Sequence, residues 1–461
     1  MKYTLLLFIL SITSVNIYSQ TITNTNFSMG TYGRIGIGFS PNGEGDMWKP
    51  LNLSGQGLLG GRMEQADYME LVPAVHFIPT SAINRTDSTN ITFQARLAMY
   101  SANGQFMGNV SSRATDGLTL VLSESYIEAK NIMGSYWSAW VGTRLQRSND
   151  IHICDYYYFD DHSSQGFGVS YKNTEVMMLM PASTDSTGVY PYNYTVTVAG
   201  ATNPIIRQRM VWIGEHRFNF KNGSEIKLLG EFHYVAASTQ KASKVYPSDK
   251  GWVAGIKLKN PLKTTLPGSF NQFSVRYGAG IANGGDNGNT LTWATYGAPD
   301  SEGKYAHAYS FTMVEHFLLN LSRRFSINGY GIFTKSKGGS ASTNKAVYFN
   351  GDQLYNRKTD IVAGFRSFYY VSDWLHLIEE VHYAVRKDGD NPNAAMWKFS
   401  FVPTIVPLGK RNSWSRPHIR LVFSLARYNN YARDHNYSSY LQVNQKRWGT
   451  YVGVKTEWWL F

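Results

Sequence analysis

Asp150, His152 and Asp155 stand close together in Asp-Ile-His-Ile-Cys-Asp, and Tyr156, Tyr157, Tyr158, Phe159 and Asp160 follow directly. A histidine and an aspartate two residues apart on a strand share a face, so Asp150 and His152 could ligate a cation or form an acid–base pair. A metal site needs a third ligand, and no His-x-x-x-His spacing supplies one. No serine stands in a Gly-x-Ser-x-Gly turn that would expose a nucleophile. The residues therefore point away from an enzyme, and to no metal and no cofactor.

The elements that hold this stretch must be read from the rest of the chain. Met1 and Lys2 open a secretory pattern: a short apolar run, Leu5 to Leu10, then a more polar tail ending near the small residue Ser19. That run is too short to span a bilayer, so residues 1–19 read as a signal peptide and residues 20–461 as the exported chain. No later window approaches the ~18 continuous apolar residues of a membrane helix. A secreted globular protein and a membrane β-barrel both remain, because only alternate strand residues of a barrel face lipid. Composition leans toward the barrel, with 31 Tyr, 24 Phe, 12 Trp and 42 Gly to furnish aromatic girdles and tight turns. Cys154 is the only cysteine, so no intrachain disulfide can form. The net charge of +12 suits lipopolysaccharide or a membrane surface. It comes from scattered Lys and Arg residues, and an export signal argues against nucleic acid.

Alternation at period two recurs along the chain. Ile35, Ile37 and Phe39 oppose Tyr32 and Arg34, and Phe93, Ala95, Leu97 and Met99 oppose Gln94, Arg96 and Tyr100. Ile226, Leu228, Phe232 and Tyr234 oppose Lys227, Glu231 and His233. Lys221-Asn222-Gly223-Ser224 before that strand is a tight hairpin signal. Polar, Gly-rich segments of uneven length separate the strands, as at 42–57, 283–289, 335–344 and 429–436. Neither a linker nor a shift in charge divides the chain, so one all-β domain is expected. The charged face is surface in a soluble sandwich and wet lumen in a wide barrel, and the pattern alone permits either.

Specific motifs then enter. Trp140-Val-Gly-Thr-Arg144, continued by Asp150-x-His152-x-x-Asp155, four aromatic residues and Asp160, resembles the third-loop region of the maltoporin family. Tyr32-Gly-Arg34-x-Gly-Ile-Gly resembles that family's first strand, and Arg62 to Leu71 its second. Gly251-Trp252 with Ser269-Phe270 to Tyr277 resembles a middle strand pair. Ser413-Trp414-Ser-Arg-Pro to Arg420 resembles a late strand entry, and Glu457-Trp458-Trp459 the terminal tryptophan pair. The resemblance covers the mature chain, tightly in about five places.

It implies a transmembrane antiparallel β-barrel of 18 strands with an inward-folded third loop, forming homotrimers in the outer membrane of a Gram-negative bacterium. Its function would be facilitated diffusion of maltodextrins or related oligosaccharides. Carried over, the aromatic slide is Tyr32, Tyr68, Phe270, Trp414 and Trp459, with Tyr157 at the constriction. The polar track is Arg34, Arg62, Glu70, Asp150 and Asp155. Sugar rings stack their C–H face on aromatic rings, while hydroxyls need donors and acceptors. A row of weak, equivalent sites lets a chain slide without being trapped. Parity agrees, since each slide residue falls opposite the apolar positions of its segment; interfacial girdle rings would share the apolar parity. Phe461 resembles the terminal aromatic read by the barrel-insertion machinery, although its parity lies off the lipid face.

The departures fall on the sugar-contacting set. Ser148 stands where the family has arginine, with Arg147 beside it, and Ser123 replaces a second arginine. A slide tryptophan of the second loop has no match, with Phe106 the candidate by position. A general or anion-preferring porin is therefore the alternative within the barrel class. A peripheral carbohydrate-binding protein is the alternative outside it, and would extract without detergent.

Overall fold

The computed structural model describes residues 24–42, 49–78, 89–101, 118–147, 150–181, 193–198, 201–238, 246–263, 266–284, 293–343, 345–347 and 353–460. The wall opens with β1 (Asn24–Phe39), β2 (Tyr68–Ile78), β3 (Asn90–Ser101), β4 (Leu118–Lys130), β5 (Trp137–Arg144), β6 (Ser164–Tyr171) and β7 (Thr174–Leu179). A separate hairpin follows, β8 (Asn193–Val198) with β9 (Ala201–Ile206). The wall continues through β10 (Arg209–Asn219), β11 (Glu225–Val235), β12 (Asp249–Pro261), β13 (Phe270–Gly280), β14 (Tyr309–Ser322) and β15 (Phe325–Lys337). After a second separate hairpin, β16 (Lys345–Val347) with β17 (Gln353–Tyr355), it ends with β18 (Arg357–Tyr370), β19 (Leu375–Asp388), β20 (Ala394–Ile405), β21 (His418–Tyr428) and β22 (Trp448–Leu460).

Each wall strand pairs antiparallel with the next, and β22 pairs back to β1, closing an 18-stranded barrel. Closure removes every edge of the wall, which a membrane demands because lipid offers backbone groups no partners.

The alternation read from the sequence is the inside–outside pattern of this wall. In β21, His418, Arg420, Val422, Ser424, Ala426 and Tyr428 are buried, while Ile419, Leu421, Phe423 and Leu425 are exposed. Ile35, Ile37, Phe39, Leu228, Phe232 and Val454 point outward in the same way. Outward aromatics gather at both ends: Trp212, Trp252, Trp397 and Trp448 near the long connections, and Trp137, Tyr171, Tyr369 and Trp374 near the short turns. Such belts sit at the two lipid–water interfaces. The predicted turn at 221–224 joins β10 to β11, where Gly223 takes φ 85° and Asn222 Oδ1 accepts a hydrogen bond from the Ser224 amide at 3.0 Å. Glycine meets that positive φ at no steric cost.

The main apolar core lies inside the barrel. Two segments fold inward, 49–67 between β1 and β2 and the described residues 145–147 and 150–163 between β5 and β6, the third long connection. Leu51, Leu53, Leu59, Ile151, Ile153 and Cys154 are buried with Val362, Met396, Val422 and Tyr428 of the wall. The inward third loop is as expected. The inward 49–67 segment is a correction: Arg62 was read as part of the second strand, which begins only at Tyr68. Turn hydrogen bonds from the Leu59, Gly61 and Gln65 amides to carbonyls three residues back coil this segment instead of extending it.

Candidate functional site

Strand register brings the first group together. Across the closure seam Tyr32 is opposite Trp459 on one side and Glu70 on the other; Arg34 is opposite Glu457 and Tyr68. Because their side chains share the inward face, one patch of wall holds aromatic rings and charges in alternation. The Tyr32 and Tyr68 ring centroids are 6.0 Å apart, and the Arg34 guanidinium sits 4.8 Å above the Tyr68 ring.

Hydrogen bonds fix these rings. Arg34 Nη1 donates to Tyr32 Oη at 3.1 Å and its Nε to the Ala66 carbonyl at 2.9 Å. Tyr32 Oη donates to Glu457 Oε1 at 3.1 Å, and Arg62 Nη2 donates to the same carboxylate at 2.6 Å. Tyr68 Oη donates to Glu70 Oε1 at 2.5 Å, and Glu70 is also paired with Arg96 of β3. Charge-assisted bonds of this kind are the strong ones, and they hold rings in place that would otherwise turn freely.

The 145–163 loop supplies the facing side. Its turn is closed by the Ile151 amide donating to the Tyr156 carbonyl at 2.7 Å. Asp155 and Tyr158 take left-handed φ of 53° and 60°. A tyrosine there is strained, and the buried packing of Tyr156, Tyr158 and Phe159 holds it. Asp160 anchors the loop to Lys227 at 2.8 Å and to Lys257, and His162 lies 3.1 Å from Glu231. So held, the loop presents Asp150, His152, Asp155 and Tyr157 to the β1–β2 wall. Tyr157 Oη donates to Asp155 Oδ1 at 3.4 Å, and Arg147 lies 4.6 Å over the Tyr157 ring while pairing with Asp161 at 3.3 Å. Burial pushes the Tyr157 phenol up, keeping it a neutral donor. Burial pushes Asp150 up as well, but His152 and the Arg62 charge outweigh it and hold the carboxyl below its usual value.

Between loop and wall lies a cavity of about 710 Å³. It is lined by Tyr32, Tyr68, Trp459 and Tyr157 on the aromatic side, and by Arg34, Arg62, Glu70, Asp150 and Asp155 on the polar side. The arrangement can stack rings and bond hydroxyls at once, with donors and acceptors on facing surfaces.

The model of the LamB porin family matches residues 27–459. The chain belongs to the LamB porin family. It is therefore a porin channel of the Gram-negative outer membrane, and not an enzyme. Among solved structures it is similar to the outer membrane channel DcaP of Acinetobacter baumannii, at 9% identity and TM-score 0.47, over 95% of this chain and 98% of that one. It is also similar to OccAB2 of Acinetobacter baumannii, at 11% identity and TM-score 0.44, over 96% and 100% of the two chains. No curated protein sequence matches it.

The porin does not gather every residue expected at the site. Phe270 points inward from β13 but outside this cavity, edge-on to His316 at 5.1 Å. Trp414 is not on a strand: β21 starts at His418, because Pro417 has no N–H for the ladder, so the parity argument does not reach Trp414. It nevertheless comes near the aromatic group through His152, whose ring lies 6.1 Å from Trp414 and 5.3 Å from Trp459. Phe106, Ser148, Phe461 and residues 1–19 lie outside the described residues. Ser123 is the extra residue of a β-bulge opposite Arg96 and Leu97, its Oγ donating to the Arg96 carbonyl at 3.3 Å.

Five lining residues were missed: Gln65, Arg96, Leu145, Arg147 and His152. Arg96 could have been found, since it shares the inward parity of Gln94. Gln65 could not, because an irregular segment has no period to read. His152 was weighed as a metal ligand or half of an acid–base pair; instead Arg416 Nη2 donates to its Nε2 at 3.0 Å, while Arg62 Nη1 and Asp150 approach its Nδ1 at 3.2 and 3.5 Å.

Proposed function

We propose that this porin passes maltodextrins or closely related oligosaccharides, which slide along Tyr68, Tyr32, Trp459 and Trp414 with Tyr157 at the constriction. Arg34, Arg62, Glu70, Asp150 and Asp155 exchange hydrogen bonds with the sugar hydroxyls as the chain advances. The observation that carries this reading is the Tyr32–Tyr68–Trp459 face standing across one cavity from Asp150, Asp155 and Tyr157. A simple water-filled pore has no use for aromatic rings pinned by hydrogen bonds on its wet face. Phe270 takes a separate place in the slide, on a different part of the lumen wall. A homotrimer and removal of residues 1–19 on export belong to the same reading.

Single-channel conductance of the refolded porin, with a maltodextrin series added, tests this. Block that deepens with sugar length and weakens in Trp459→Ala supports the slide. Steady conductance at every length would sink it and leave a general or anion-preferring porin.

A further inference from the structure

A second, much smaller cavity lies at the short-turn end, beside the turn that carries Trp414. Its volume is about 10 Å³, room for a single water-sized particle. Arg366, Arg416, Arg420, His376 and Ser415 are among its walls, and all five are buried.

The charges around it do not balance. Arg366 donates to Glu380, while Arg416 at 3.0 Å, Arg420, and Arg62 at 2.6 Å all converge on the single carboxylate of Glu457. The three guanidinium groups on its walls thus share two carboxylates, one of which Arg62 of the main cavity also uses. Asp150 and Asp155 line the main cavity and not this one. Asp373 is taken by Arg411 at 2.6 Å, Glu64 by Lys398 at 2.6 Å and Asp67 by Lys455 at 3.2 Å. Surplus buried positive charge is costly without a counter-ion. Two polar atoms on the cavity walls also lack a hydrogen-bond partner in the protein: Arg366 Nη2 and His376 Nε2. Arginine has only donors to offer, so the unpartnered Nη2 calls for an acceptor.

We propose that this cavity is a binding site for one monatomic anion, a halide, held by Arg366 Nη2 with Arg416 and Arg420 beside it. His376 joins as a second donor when protonated. The halide neutralises the guanidinium cluster and so fixes the turn bearing Trp414. This inference is independent of the sugar reading and stands or falls whether or not maltodextrins block the pore.

Crystals of the porin grown in bromide test it by anomalous scattering. One bromide peak is expected among Arg366, Arg416 and Arg420, and its loss is expected in Arg366→Gln. Only water density at that place in the wild type would overturn the proposal. A second measurement needs no variant: the thermal midpoint of the wild-type porin in chloride against gluconate at equal ionic strength, the larger ion being excluded by size. A saturable rise with chloride is expected, and identical midpoints would overturn the site.

Discussion

Two sides of the lumen use the same residue types to opposite ends. Along β22, β1 and β2, charges and rings face an open cavity, and Tyr32, Tyr68 and Trp459 keep surface for a solute. Along β10, β11 and β12, Lys227, Glu231 and Lys257 face inward with the same parity, yet they are buried beneath Asp160 and His162 of the third long connection. One wall is a path and the other a dock. Inward parity makes a residue available to the lumen; what folds against it decides whether it meets solute.

The comparison breaks first at Asp160. Asp160→Ala takes their shared carboxylate from buried Lys227 and Lys257, with Glu215 still 2.8 Å from Lys227, a loss of up to about 3–5 kcal/mol. The thermal midpoint should fall sharply and single-channel conductance rise several-fold as the loop leaves the lumen. Unchanged conductance would mean that the dock does not set the constriction.

Next come the rings of the path. Removing Trp459, which lies 4.4 Å under Arg416 and 5.3 Å from His152, should weaken maltodextrin block about tenfold, on the order of 1.4 kcal/mol. Phe270→Ala should cost less, because that ring packs on His316 away from the main cavity. Equal losses would erase the distinction between the two positions.

Acid sharpens the dock. Burial pushes the Asp160 carboxyl up, but Lys257 and Lys227 outweigh it and hold it far below the usual carboxylate range. A depressed folded value gives stability that is complete above the unfolded value of about 3.9 and is lost as pH falls through the folded one. Conductance should therefore stay level from pH 7 to about 4 and rise only in stronger acid. A rise already near pH 5 would show that another group anchors the loop.

The smallest effect belongs to Glu70→Gln. It removes one charge of a cavity that keeps Asp150 and Asp155, and frees Arg96 to lean on Glu124, already 2.9 Å away. Ion selectivity should shift modestly toward anions, by less than about twofold for a partly exposed pair. Reversal potentials in a salt gradient would measure it.

Much of this protein was legible without coordinates. Alternation at Ile35–Phe39 and Ile226–Tyr234 determined which residues face lipid, because a strand has no freedom to turn successive side chains to the same face. The Asn222-Gly223 turn was equally local. The dense match around Asp150, His152 and Asp155 marked the inward loop. The tertiary structure alone decided the rest. Tyr32 meets Trp459 only because the barrel closes β1 on β22 across nearly the whole chain. Arg62 reaches Glu457 from a coiled segment with no period to betray it. Trp414 stands beyond the start of its strand, where parity no longer applies, and Phe270 lies outside the cavity, packed on His316. Period and turn chemistry act between neighbours in sequence; closure and docking act between residues hundreds of positions apart, and only the folded chain brings them within reach.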